Sequence, residues 1–189
     1  MKIIKFKKAS LILLAVVLGI LSVFCMMRLL LKDSREEIHF IDDIGPIAVE
    51  INQQTGGMFP SVTIAQAILE SNFGKSELAV NANNLFGIKG RYQGKSVKMP
   101  TIEYKNNKSY TIEAEFRAYP DWKNALIDHS KLILEGTSWN EQQYYEVLAA
   151  TNYQEAAYAL KKSHYSTDPL YPEKLIAIIE QYNLGKYDK

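Results

Sequence analysis

In the stretch AQAILESNFGKSE, residues 65–77, small and apolar side chains lead to a glutamate, Glu70, followed by a serine, an asparagine, a phenylalanine and a glycine. At about 100° per residue, Ile64, Ala65, Ile68 and Leu69 fill one arc of a helix, and Gln66 and Glu70 share the adjoining flank one turn apart. Ala67 beside them leaves space. A carboxyl group in the last turn of a helix meets the negative end of the helix dipole, and partial burial acts in the same direction, so both raise its pKa. An acid that keeps its proton near neutral pH can protonate a poor leaving group, such as the departing oxygen of a glycosidic bond. The residue pattern alone leaves two other readings open: a solvated glutamate at a helix end, and a buried structural acid bonded to nearby backbone.

Other chemistry-bearing residues are sparse. His39, His129 and His164 are far apart, there is no HExxH pattern, and Cys25 is the only cysteine, so neither a metal site nor any other cofactor is predicted. His129 shares a helical face with Trp122, Ala125, Leu126, Leu132 and Ile133, which reads as a satisfied core histidine. In the loop NNLFG, Asn84 and Phe86 could meet a ligand, or Asn84 could simply serve the turn. All twelve tyrosines and both tryptophans lie after residue 90. Most of these must be core, and Tyr165 and Tyr171 of YSTDPLY are the better candidates for stacking on sugar rings.

The elements that must position these residues are mostly helical. From Pro46 a helix runs to a stop at Gly56 and Gly57; Ser61 can cap a helix over 62–73, with Gly74 as its stop. Ser76 opens a short helix, and a loop covers 83–90. Tyr110, Ile112, Ala114, Phe116 and Ala118 alternate as in a half-buried strand; 97–104 make its partner, with 105–108 as the turn. Further helices are predicted over 121–135 with Asp121 as cap and Gly136 as stop, over 140–150, over 153–162 after Asn152, and over 169–182 with Pro169 as first helical residue. The fold class is mainly α (α+β), a helical domain with a small β-hairpin wing.

The chain divides before that domain. Residues 9–27 form an uncharged run of nineteen residues, enough to cross a bilayer core of about 30 Å. A cleaved signal peptide would have a shorter core and a small-x-small site; Phe24 before Cys25 argues against a lipid anchor. Lys2, Lys5, Lys7 and Lys8 are expected to hold the N-terminus in the cytoplasm. The expected organisation is a basic cytoplasmic tail 1–8, a transmembrane anchor 9–31, a stalk 32–45, the domain 46–184 and a tail 185–189. Residues 33–189 hold 16 of the 22 Lys and Arg but all 21 Asp and Glu. That acidic balance argues against nucleic acid as a partner.

The segments PSVTIAQAILESNFGKSELAVNANNLFGIKG, PTIEY, AEFRAY and YSTDPLYPEKLIAIIEQYNL together resemble glycoside hydrolase family 73, the bacterial peptidoglycan glucosaminidases, above all the exo-type enzymes of vegetative cell walls. The resemblance covers about residues 46–184. It implies a lysozyme-like helical fold with a β-wing beside the groove. The implied activity is hydrolysis of the β-1,4 bond on the reducing side of N-acetylglucosamine in peptidoglycan, by a monomer on the outer face of the cell membrane, facing the wall. Carried over by motif, Glu70 is the general acid, Glu103 of TIEY the candidate second carboxylate and Tyr119 of FRAY a tyrosine near the acid. Gln66, Asn84, Phe86, Tyr165 and Tyr171 complete the expected substrate-binding set. Glu103 could activate water in an inverting reaction, be dispensable if the substrate's N-acetyl oxygen attacks, or be a solvated strand residue; Glu113 and Glu115 are alternatives outside the motif. Tyr119 has the strand parity of Thr111, Glu113 and Arg117 and could face a groove or cap the next helix. Two rival functions stay in view: an N-acetylmuramidase, and an inactive wall-binding or scaffold module.

Overall fold

The computed structural model describes residues 2–105 and 108–189, with side chains for all of these except 2–23, 25, 29–30, 102–105 and 108–109. The chain separates into two units, Met1–His39 and Phe40–Lys189. The first unit is part of α1, Lys2–Thr55. Among the described residues no helix is long and apolar enough to cross a membrane. The span expected at 9–31 lies largely outside the residues with described side chains.

The second unit is mainly helical with a two-stranded antiparallel sheet. It opens with the end of α1, where Phe40, Ile41, Ile44, Ala48 and Ile51 recur at helical spacing and are buried. That stripe corrects two expectations. The core begins at Phe40, inside the segment read as a stalk, and Pro46 sits within a helix rather than starting one. A proline inside a helix costs about 3 kcal/mol, which burial of three large apolar residues just before it outweighs.

Helix α2, Pro60–Ser71, buries Val62, Ile64, Ala65, Gln66, Ala67 and Ile68, and packs on α6, Tyr153–Lys162, on α7, Tyr171–Gln181, and on the 3-10 turn Leu184–Tyr187. Ser61 is not its cap. Phe59 holds that position without a side-chain bond, Pro60 takes the first helical place, and the Ser61 amide donates to the Asp188 carboxylate at 2.8 Å. The tail is therefore built into the fold, capping α2 from 127 residues away. Helix α3, Glu77–Ala82, starts at Ser76 as expected, the serine accepting from the Ala79 amide.

Strands β1, Ser96–Lys105, and β2, Lys108–Arg117, pair in register from Ser96 opposite Arg117 to Lys105 opposite Lys108. The expected half-burial of β2 holds only at its base: Phe116 is buried, while Ile112 and Tyr110 are exposed. Helices α4, Trp122–Glu135, and α6, Tyr153–Lys162, start at the predicted caps Asp121 and Asn152, whose side chains accept from Asn124 and Glu155 amides. Between them α5 is a single turn, Tyr145–Leu148, shorter than the expected 140–150. Helix α7, Tyr171–Gln181, starts two residues later than expected, with Pro172 rather than Pro169 in its first turn. Asp168 and Pro169 form the turn before it, where Asp168 accepts from the Leu170 amide at 2.9 Å and pairs with Lys174.

Candidate active site

Glu70 lies in the last turn of α2, and the helix is stopped sharply behind it. Asn72, Phe73 and Gly74 all have positive φ, at 51°, 56° and 73°. The Asn72 amide returns to the Ile68 carbonyl, and Ser71 Oγ donates to the Ala67 carbonyl while accepting from the Gly74 amide. A Cβ on Gly74 would stand 2.8 Å from the Trp122 ring and 3.0 Å from Phe40, so position 74 admits only glycine.

One hydrogen-bonded chain reaches the carboxyl. Gln66 Nε2 donates to the Tyr171 hydroxyl at 3.0 Å, and that hydroxyl donates to Glu70 Oε1 at 2.9 Å. Solvent reaches Glu70, yet the protein packed around its carboxyl desolvates it and raises its pKa above the ordinary value; the Tyr171 hydrogen bond opposes this and is the weaker effect. The Tyr171 phenol is pushed up by its own burial, so it is a neutral donor. Tyr165 stacks on Tyr171 with ring centroids 5.9 Å apart and turns its ring edge-on to His129 and Tyr144.

This geometry reassigns several residues. Gln66 and Tyr171, expected on a sugar-binding surface, are buried, and their polar groups bond to each other and, through Tyr171, to Glu70. Tyr165 is half-buried. Asn84 is buried and fully engaged: its Nδ2 donates to the Ile88 and Arg117 carbonyls, and its Oδ1 accepts from the Phe86 and Ile88 amides. It has nothing left for a ligand and ties the 84–88 loop to the base of β2. Phe86 is core, stacked on His129 at 3.9 Å and 11°.

His129 is core as expected but not satisfied, since neither ring nitrogen has a hydrogen-bond partner among the described residues, and burial lowers its pKa to about 3. Tyr119 follows the strand and is buried, so its parity within β2 does not direct it to a groove. Its hydroxyl donates to Asp128 Oδ2 at 2.7 Å, and Arg117 pairs with the same oxygen at 2.5 Å. Burial, then Asp128, raises the Tyr119 pKa. Asn83 adds a bond to the Tyr119 carbonyl, so the foot of the wing is clamped to α3 and α4. Sequence reasoning passed over Asp128; the available signal was a charge flanking the apolar stripe Ala125, Leu126, His129, Ile133 of α4.

The Glu103 side chain lies outside the described residues; its backbone pairs with Tyr110. Glu115 is committed to Arg91 at 2.7 Å. Among the described residues no group of three or more His, Cys, Asp or Glu is placed to hold a metal ion. Two concavities of about 500 and 480 Å³ lie around Trp139 and Tyr145 and around Tyr158, and neither is lined by Glu70. The arrangement presents a solvent-accessible carboxyl with one oxygen held by a neutral donor and Oε2 without a hydrogen bond among the described residues. Such a group can deliver a proton to a bound substrate.

The glucosaminidase family model, described as mannosyl-glycoprotein endo-beta-N-acetylglucosaminidase, matches residues 45–184. The exo-glucosaminidase LytG of Bacillus subtilis is 49% identical over 154 residues, which are 82% of this chain and 54% of that protein. A probable N-acetylmuramidase of Lactococcus lactis subsp. cremoris is 43% identical over 153 residues, 79% of this chain and 34% of that protein. This chain thus spans about half of the first relative and a third of the second. Among solved structures, the catalytic domain of the autolysin Auto from Listeria monocytogenes superposes with a TM-score of 0.76 at 42% identity, covering 81% of this chain and 88% of that one.

Proposed function

This chain is a member of the glucosaminidase family, and we propose that it is a peptidoglycan hydrolase cleaving the β-1,4 bond on the reducing side of N-acetylglucosamine, with Glu70 as general acid. The observation that carries the reading is the state of Glu70: a solvent-accessible carboxyl whose pKa burial raises despite a hydrogen bond from Tyr171. Such an acid keeps its proton in a larger fraction of molecules near neutral pH than an ordinary glutamate does. It can therefore protonate the bridging oxygen as the glycosidic bond breaks. An acid on an open surface also suits a polymer that must lie across the site.

Water attack then needs a base or an internal nucleophile. We assign the base to Glu103, on the wing strand, in an inverting reaction; attack by the substrate's own N-acetyl oxygen is the other route. The uncharged run 9–27 with its preceding lysines is the ground for proposing an anchor over 9–31 and a place on the outer face of the cell membrane beside the wall. Muramidase action is the second reading, favoured by the name of the Lactococcus relative.

Digestion of purified walls with the full-length protein, followed by mass analysis of the products, tests the reading. New reducing N-acetylglucosamine ends are expected. Reducing muramic ends would transfer the assignment to the neighbouring bond. Glu70→Gln is expected to lower the rate by about a hundredfold or more with unchanged folding. Wall digestion at the normal rate by that variant overturns the role of Glu70.

A further inference from the structure

The direction of the hydrogen bonds at Glu70 matters more than their number. A phenol carries one hydrogen and accepts through its oxygen, whereas the Gln66 Nε2 group can only donate. Because Gln66 donates to the Tyr171 oxygen, the single Tyr171 hydrogen is directed to Glu70 Oε1. Gln66 is wholly buried, and its Oε1 is the atom left without a partner. Reversing the amide would orphan an NH₂ group in the core instead, and orphaned buried N–H groups are rarer than under-satisfied carbonyl oxygens.

With Oε1 occupied as an acceptor, a proton arriving on Glu70 has one unhindered place, Oε2, which makes no hydrogen bond among the described residues. We propose that Gln66 is a positioning residue that fixes the direction of the chain Gln66 to Tyr171 to Glu70, and so places the acid's proton on Oε2, the oxygen free to meet substrate. This rests on Glu70 being the general acid. Without Gln66 the phenol can rotate and accept from a protonated Oε1. The acid's hydrogen would then point into the protein, and its neutral form would gain a hydrogen bond.

The test is a titration of the full-length chain carrying ¹³C-labelled glutamate carboxyl groups, with the Glu70 signal assigned by its loss in Glu70→Gln. In Gln66→Met the Glu70 pKa is expected to rise by roughly 0.5 to 1 pH unit, the worth of one neutral hydrogen bond. The same substitution made on Tyr171→Phe is expected to change nothing further, because no phenol remains to be directed. Gln66→Leu takes the place of Gln66→Met should the latter fold poorly. An unmoved Glu70 titration in the single variant, or an equal rise in the Tyr171→Phe background, overturns the proposal.

Kinetics supply the link to turnover and separate the two ideas. Gln66→Met is expected to lower kcat about tenfold with KM within twofold. A shifted titration in a protein that cleaves no glycan would discard the hydrolase reading and keep the hydrogen-bond direction. Normal cleavage with an unshifted titration would do the reverse.

Discussion

His129 places an unpaired base in the middle of the core, and the structure fixes what that does to stability as pH changes. Its ring lies flat against Phe86, edge-on to Tyr165, with no partner for either nitrogen among the described residues. Burial holds its pKa near 3 in the folded protein, against about 6.5 in an unfolded chain. Between those values only the unfolded chain takes up the proton. Folding stability therefore falls as pH drops through 6.5 and goes on falling to about 3, by about 1.4 kcal/mol per pH unit. From pH 7 to pH 5 this one residue removes about 2 kcal/mol. His129→Leu, of similar volume and unable to titrate, abolishes that component. Thermal unfolding of both full-length proteins at pH 7 and pH 5, followed by near-ultraviolet circular dichroism, measures it. For a domain of this size 1 kcal/mol moves Tm by about 2–4 °C, so the wild type should lose about 4–8 °C more than the variant over that interval. The raised pKa of Glu70 acts in the opposite direction, but it is present in both proteins and cancels. Equal losses of Tm in the two would refute the reasoning.

Two further predictions concern the foot of the wing. Asp128→Asn leaves the Arg117 guanidinium without its carboxylate; because the pair is only partly buried, with Arg117 29% and Asp128 11% exposed, the expected loss is about 2 kcal/mol, below that for a fully buried pair and readable as a lower urea midpoint. Asn84→Ala removes four hydrogen bonds, three within the 84–88 loop and one to the Arg117 carbonyl at the base of β2. It should destabilise by about 2–4 kcal/mol and speed hydrogen exchange at the Phe86 and Ile88 amides before that of α6.

What could be read from the sequence was whatever depends on neighbours along the chain. Ser76, Asp121 and Asn152 announced their helices because a cap acts over three residues, and Glu70 stood out because its own helix is small and apolar around it. Ser61 and Pro169 misled for the same reason: each has the right type for a helix start, but Asp188 and Pro172 decide where α2 and α7 begin. The site residues divide along that line. Gln66, Asn84 and Tyr171 have the polar or aromatic character that sugar recognition needs, yet two of their bonding partners lie 105 and 33 residues away, and only the fold shows that those partners consume them. Burial of Phe86 and Tyr119 likewise follows from His129 and Asp128 on α4, which no local pattern links to them.

The left-handed turn behind Glu70 has a consequence for any survey of inactive variants under the proposed function. Position 74 is wedged between an indole and a phenyl ring, so a single added methyl group there would lever the end of α2 and displace the Glu70 carboxyl. With Glu70 as the proposed acid, screens for lost wall cleavage should return hits at Phe40, Gly74 and Trp122, none of which carries chemistry. A variant can then fall silent without the altered side chain ever approaching a bound glycan.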